Sequence, residues 1–255
     1  MMPHRILLHL TALALALLLL PSASEAQVQT VDLAPMRDNT LYEEDPGLTS
    51  NGVGEYLFVG VTEAMGGNAK RRALLAFDID GGLPNGAMVM SATLTLNMSM
   101  SIVGETNVTL HRLTSDWGEA GSDAPGQEGR GTGAQIGDAT WTDTFFDSAN
   151  WTTAGGDFVT MASATTPVAA DGSYTWGPTT EMTADVQAWV NDPSTNFGWT
   201  VIGDEVLMPT AKRFDSRENA TASNRPVLRV EFVDTRIFED GFETGDVSVW
   251  SSSFP

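Results

Sequence analysis

The residues best equipped for chemistry in this chain are aromatic, acidic and, in two small groups, basic. Four of the seven tryptophans, Trp117, Trp141, Trp151 and Trp176, sit beside Gly, Thr, Asn or Asp, in predicted loops or at strand ends. A flat indole face can stack on the apolar C–H face of a sugar ring, and a rigid ring loses little entropy in doing so. The same four indoles can instead plug the ends of the fold. Trp189 and Trp199 are expected in the core.

The acids offer a second chemistry. Asp38, Asn39, Glu43, Glu44 and Asp45 cluster near the first strand, with Asn51 close behind. Calcium takes six to eight oxygen ligands from carboxylates, amide oxygens and backbone carbonyls. This segment supplies those types, with Asp38, Asn39, Glu43 and Asp45 as the metal candidates, but it matches no EF-hand spacing. A solvated acidic loop is the alternative. Asp78 is expected to meet Arg71, Arg72 or a backbone turn. The acids Glu239, Asp240, Glu243 and Asp246 near the end form a weaker group.

Basic residues are few, so their grouping carries information. Lys70-Arg71-Arg72 precedes a strand, and Lys212, Arg213, Arg217 and Arg225 frame the segment from Phe214 to Glu218. Arginine grips carboxylates in a bidentate fork, so Arg213 and Arg217 are candidates for an anionic ligand. Internal pairing with the abundant acids is the competing reading.

Enzyme signatures are sparse. Beyond the first 26 residues the one histidine is His111, between Leu110 and Arg112, and no Gly-x-Ser-x-Gly elbow accompanies it. There is no cysteine, so a Cys/His zinc set cannot be built. The run Gly126–Gly133 lacks the Lys-Ser/Thr of a phosphate loop. A pair of glycosidase carboxylates cannot be picked from 33 acids by spacing alone.

Net charge is −20. That disfavours nucleic acid, whose affinity comes from neutralised phosphates, and anionic membrane surfaces alike. Arg5, the apolar run Leu13–Leu20 and the small residues Ser24 and Ala26 read as a cleaved secretory signal over residues 1–26. The run is too short to span a bilayer as a helix. The expected location is outside the cell or at its surface. Absence of cysteine points to a bacterial source, because secreted eukaryotic domains usually carry disulfides.

The elements that must position these residues are mostly strands. Val28–Leu33, Glu55–Val61, Ala73–Ile79, Val89–Met100, Asn107–Leu113, Gly156–Met161, Gly172–Trp176, Gly198–Gly203 and Pro226–Val233 are rich in β formers, and turn residues separate them. One helix is predicted over about 182–191, with Met182, Val186, Trp189 and Val190 on one face, Thr183 or Asp185 as its cap, and Pro193 beyond its end. Residues 116–139 are dominated by Gly, Ser, Asp and Ala and read as a long surface loop, functional or disordered.

Four stretches together resemble a known family. They are Arg37–Leu41 with Asn51–Phe58, Arg72–Asp78 with Ser91–Leu96, Ala184–Trp189 leading to Asn196–Trp199, and Phe214–Glu218 with Arg225–Val230. They look like the exported DNRLRE-type domain, which belongs with a carbohydrate-binding module family of β-jelly-roll sandwiches. The resemblance covers about Val31 to Asp234. It implies polysaccharide binding, with alginate-type acidic glycans among the ligands. This chain departs from that setting in having no catalytic domain and a long insertion after Trp117. The stretch Ile237–Trp250 resembles a short tail found at the ends of exported bacterial proteins.

The expected organisation is a signal over 1–26, one all-β jelly-roll-like antiparallel sandwich over 27–234, and a tail over 235–255. The expected function is non-catalytic binding of a polysaccharide or cell-surface glycan, with calcium stiffening loops. A structural or adhesive surface protein and a polysaccharide lyase or glycoside hydrolase are the alternatives.

Overall fold

A computed structural model describes residues 27–44, 46–64, 67–207 and 209–235. Residues 1–26, read above as a signal, Asp45 and almost all of the expected tail lie outside the described residues. Along the chain run β1 (Val28–Leu33), β2 (Pro35–Tyr42), β3 (Thr49–Ser50), β4 (Tyr56–Ala64) and β5 (Gly67–Phe77). The four-residue α1 (Ile79–Gly82) leads to β6 (Met88–Ser101) and β7 (Thr106–Arg112). The short β8 (Thr132–Gly133), β9 (Asp143–Phe145) and β10 (Ala149–Asn150) precede β11 (Ala164–Val168) and β12 (Gly172–Trp176). Last come α2 (Thr180–Asn191), β13 (Trp199–Ile202), β14 (Lys212–Asp215) and β15 (Val227–Val233).

The architecture is the expected all-β antiparallel sandwich, formed by one large curled sheet. In its first layer β6 is the spine. It pairs with β15 over Met88–Thr95, with β12 over Leu94–Met98 and with β14 near Met98–Ser101, while β1 flanks β15. The second layer runs β2–β5–β13–β7–β11. β4 belongs to both layers, pairing with β14 over Tyr56–Val59 and with β5 over Gly60–Ala64. The changeover falls at Gly60, whose φ is +91° and where a Cβ would lie 2.7 Å from the Thr210 carbonyl. Only glycine tolerates both conditions.

Between the layers lies the main core. Period-two alternation sends Ala92, Leu94, Leu96 and Met98 of β6 inward, opposite Ala73, Leu75 and Phe77 of β5. Leu228, Val230 and Phe232 of β15 add a third row. Each of the Leu, Met, Phe and Val side chains among them contributes roughly 1.5–3 kcal/mol when fully buried. α2 closes one end through Met182, Val186, Trp189 and Val190, and the Trp189 and Trp199 rings meet edge-on at 4.5 Å. The helix starts two residues earlier than the spacing predicted. Thr179, rather than Thr183 or Asp185, caps it, its hydroxyl accepting from Met182 N at 3.0 Å. Asp78 caps α1 in the same way, accepting from Gly81 N at 2.8 Å.

β5 is buried on its other face too. Leu74 and Ala76 join Leu41 of β2 and Leu113, Trp117, Ala139, Trp141 and Trp151 in a second apolar cluster. The segment after β7 therefore forms a third layer over the outer face of the second sheet layer. The predicted strand at Gly156–Met161 is absent. Gly155 and Gly156 have φ of +89° and +107°, which break an extended run, and a single bridge from Leu113 to Phe158 remains. Residues 116–139 are not a free surface loop. They are pinned by buried polar groups, among them Asp138, which accepts from Ala120 N and Gln135 N, and Asn51, which accepts from Ala124 N. Among the described residues no helix is long and apolar enough to cross a membrane.

Candidate functional site

The four tryptophans offered as stacking platforms are all buried, as the alternative reading of them as plugs has it. Trp117 and Trp176 are fully enclosed, and Trp141 and Trp151 are 9% and 5% exposed. Three of their N–H groups are spent inside: Trp117 donates to Phe197 O, Trp151 to Thr140 O and Trp176 to Val108 O, all within 2.8–2.9 Å. This corrects the stacking-platform expectation. The indoles fill the space between layers, where their area contributes most, and none presents an open face.

The basic candidates are committed as well. Arg213 is buried, stacks 3.8 Å from the centre of the Tyr56 ring, and donates to Ser99 Oγ and Gln127 Oε1. Arg217 donates to Glu119 Oε2 at 2.6 Å and lies 2.8 Å from Glu218 Oε1. The proposed metal set also separates. Asn39 is buried and accepts from Thr40 N, Ser50 Oγ and Asn51 N. Glu43 accepts from Lys70 N and pairs with its ammonium at 3.6 Å. Among the described members of that set only Asp38 enters an acidic cluster, and its companions are residues that spacing did not single out.

That cluster joins three distant parts of the chain. Asp38 comes from β2, Glu119 from the third layer just after Trp117, and Glu218 from the turn after β14. One oxygen of each lies within 4.8 Å of the others. Asp38 N donates to Glu119 Oε1, and Arg217 N donates to Asp38 Oδ2, both at 2.8 Å. Glu218 Oε2 is buried and accepts no hydrogen bond from any described residue. Burial, then the charges of Glu218 and Glu119, push the Asp38 carboxyl well above its ordinary value. Burial raises Glu119 and Glu218 too, against the pull of Arg217. Arg37, beside the cluster, pairs with Asp116 at 2.5 Å and lies 4.4 Å from the Trp117 ring centre.

A second feature is an open cleft of about 510 Å³ in the third layer. Thr114, Ser115, Thr152, Thr153, Asp157, Phe158 and Thr160 line it, together with Arg72. Asp157 accepts from Thr152 N, Thr153 N and Ser115 Oγ at 2.8–3.1 Å. Burial opposes its ionisation, but these bonds outweigh it and hold the carboxyl below its usual range. Arg72 is fixed by a bidentate pair with Glu205 at 2.7 and 2.8 Å and by a bond to Gly155 O. Its guanidinium lies 5.4 Å from the centre of the partly exposed Phe158 ring, and His111 packs 5.3 Å away from that ring. His111 itself is occupied by Val159 O and Thr109 Oγ1.

Comparison with family models and with curated proteins finds no match. The chemistry of the two sites is therefore read from their own residues. The acidic cluster can hold a proton or a cation between carboxylates. The cleft can exchange hydrogen bonds with a hydroxylated molecule, and it holds no acid poised to give up a proton near neutral pH. The sequence did not single out Thr152 and Thr153, and Asp157, Phe158 and Thr160 were read as part of the strand predicted at Gly156–Met161.

Proposed function

We propose that this protein is an exported, non-catalytic glycan-binding module whose ligand occupies the cleft at Thr114, Ser115, Thr152, Thr153, Asp157 and Phe158. The supporting observation is the composition of that cleft. Exposed threonine hydroxyls are donors and acceptors at once, which suits sugar hydroxyls. Asp157 Oδ1 accepts from Thr153 N, and a carboxylate oxygen has a second lone pair that a ligand hydroxyl can use. Phe158 adds an apolar surface of the kind a pyranose C–H face stacks on. Every charged group there is held by its neighbours, a preorganisation that lowers the entropy cost of binding. The resemblance of the chain to DNRLRE-type domains and its signal-like first 26 residues agree with this role.

Calcium belongs to the same proposal, at Asp38, Glu119 and Glu218 rather than along the acidic loop. With Asp116, the cluster carries four carboxylates against the two guanidiniums of Arg37 and Arg217. The excess of two negative charges is the charge a divalent cation offsets. Oxygen ligands from three chain segments would then be fastened together.

Titration of the protein with a panel of oligosaccharides, followed by calorimetry, tests the binding role. At least one hexasaccharide should bind, and the Ala154→Trp variant, which fills the mouth of the cleft from an exposed position, should lose that binding with its melting temperature unchanged. A panel with no binder, or a binder indifferent to Ala154→Trp, overturns the assignment.

A further inference from the structure

We infer that Glu205 sets the specificity of the cleft, making it select uncharged sugars over those that bear carboxylates. This rests on the binding role proposed above and goes against the acidic glycans that the family resemblance implies. An anionic sugar needs a cation to meet it. Among the described residues Arg72 is the only cationic side chain lining the cleft. Three of its five N–H donors are already taken, Nε and Nη2 by the two oxygens of Glu205 and Nη1 by the Gly155 carbonyl. The two N–H donors left over belong to a guanidinium whose charge Glu205 already balances, so they offer an incoming carboxylate hydrogen bonds but no unpaired cation.

The local charge sum has the wrong sign for an anion. One guanidinium stands against the carboxylates of Glu205 and Asp157, leaving one net negative charge at the cleft. Glu205 and Arg72 are mostly buried, with side chains 16% and 13% exposed, so solvent screens the pair little. Arginines elsewhere are tied in the same manner, Arg71 to Glu44, Arg112 to Asp185 and Arg229 to Asp32. The overall charge of −20 adds repulsion at long range when salt is low. A neutral sugar meets none of these costs, since its hydroxyls exchange bonds with Thr153, Thr160 and the spare lone pair of Asp157.

The test uses matched pairs: oligomannuronate and oligogalacturonate hexamers, each beside its carboxyl-reduced neutral counterpart, titrated by calorimetry at low and high sodium chloride. At low salt the neutral member should bind at least about tenfold more tightly than the acid, and the gap should narrow as salt screens the cleft. Glu205→Gln should release Arg72 and raise affinity for the acid member while leaving the neutral one nearly unchanged. An acid member that binds as tightly as its neutral partner, or a Glu205→Gln protein with unaltered preference, overturns the inference and leaves the binding role standing. A failure of every sugar to bind overturns both.

Discussion

The backbone N–H of Asp38 donates to Glu119 Oε1 at 2.8 Å across 81 positions of sequence. It does so at the edge of β2, where the strand has no further β neighbour to pair with. Glu119 replaces the missing ladder, and Arg217 closes the triangle from the far end of the chain. The fold is thus fastened at a place where three carboxyls are crowded out of water, which makes its stability sensitive to protons and cations.

The pH dependence follows from the signs. Asp38, Glu119 and Glu218 all have folded-state values raised above 3.8 or 4.5, by burial first. The folded state holds their protons more tightly than the unfolded chain does. Their contribution is fully present below the unfolded value and is lost as pH rises through the raised value. Asp157 and Asp32 are lowered, so their contribution is present above the unfolded value and is lost as pH falls through the folded one. Calcium-free protein should therefore gain stability as pH falls toward the ordinary carboxylate values of 4.5 and 3.8, and lose it as pH falls further. Asp38→Asn should flatten the upper limb. A melting series across that range checks this, and a wild-type curve that rises steadily toward pH 7 contradicts it.

Calcium should raise the melting temperature near neutral pH, and a chelator should reverse the gain. A ligand at a hundred times its Kd adds about 2.7 kcal/mol. Metal and proton compete for the same oxygens, so the gain should shrink as pH falls. Asp38→Asn should abolish it. An unchanged melt with and without chelator at neutral pH removes calcium from the proposal and leaves a shared proton at Asp38 and Glu218.

How much of this was readable beforehand depends on what each strand buries. β6, β7 and β15 bury one face, so their alternation showed in the sequence. β5 buries both faces and showed as an apolar run. β2 and β14 were not singled out as strands, because their buried positions are polar: Asp38, Asn39 and Thr40 in one, Lys212, Arg213 and Asp215 in the other. Hydropathy cannot find such strands. Their polar atoms are satisfied by partners far away in sequence, such as Ser101 and Gly104 for Lys212 and Asn97 for Asp215. The tryptophans fail differently. An indole that plugs a layer and one that faces a sugar have the same flanking residues, and only the tertiary packing separates them. Glu119 and Glu218 were visible as residues, but their convergence on Asp38 is set by the third layer, which no periodicity announces.

Trp117 is the keystone of that third layer, fully buried and bonded to Phe197 O. Trp117→Ala should cost about 3 to 5 kcal/mol, the range for truncating a buried large aromatic. It also strips Phe197 O of its donor. The loss should be read first in the layer itself, as cleavage between residues 118 and 137 by a nonspecific protease under native conditions, before the sandwich unfolds. Equal protease resistance in wild type and variant would mean that the layer is held by its polar pins alone.

Gly198 offers a test of the backbone at the junction of α2 and β13. Its φ is +75°, and a Cβ there would sit 2.0 Å from the Leu75 carbonyl oxygen. Its own carbonyl accepts from Leu113 N at 3.0 Å, so the peptide cannot turn away without losing that bond. The left-handed conformation alone costs an alanine about 1–2 kcal/mol. The clash must also push β13 off β5, and β13 carries Trp199 into the main core. Gly198→Ala should therefore lose more than that range in urea denaturation, with a weakened near-ultraviolet signal from Trp199 and Trp189. Gly104→Ala is the control. No atom lies within 4 Å of its Cβ position, so its cost should stay within about 0.5 kcal/mol. Similar losses in the two variants would mean that close approach at Gly198 is not what seats the strand.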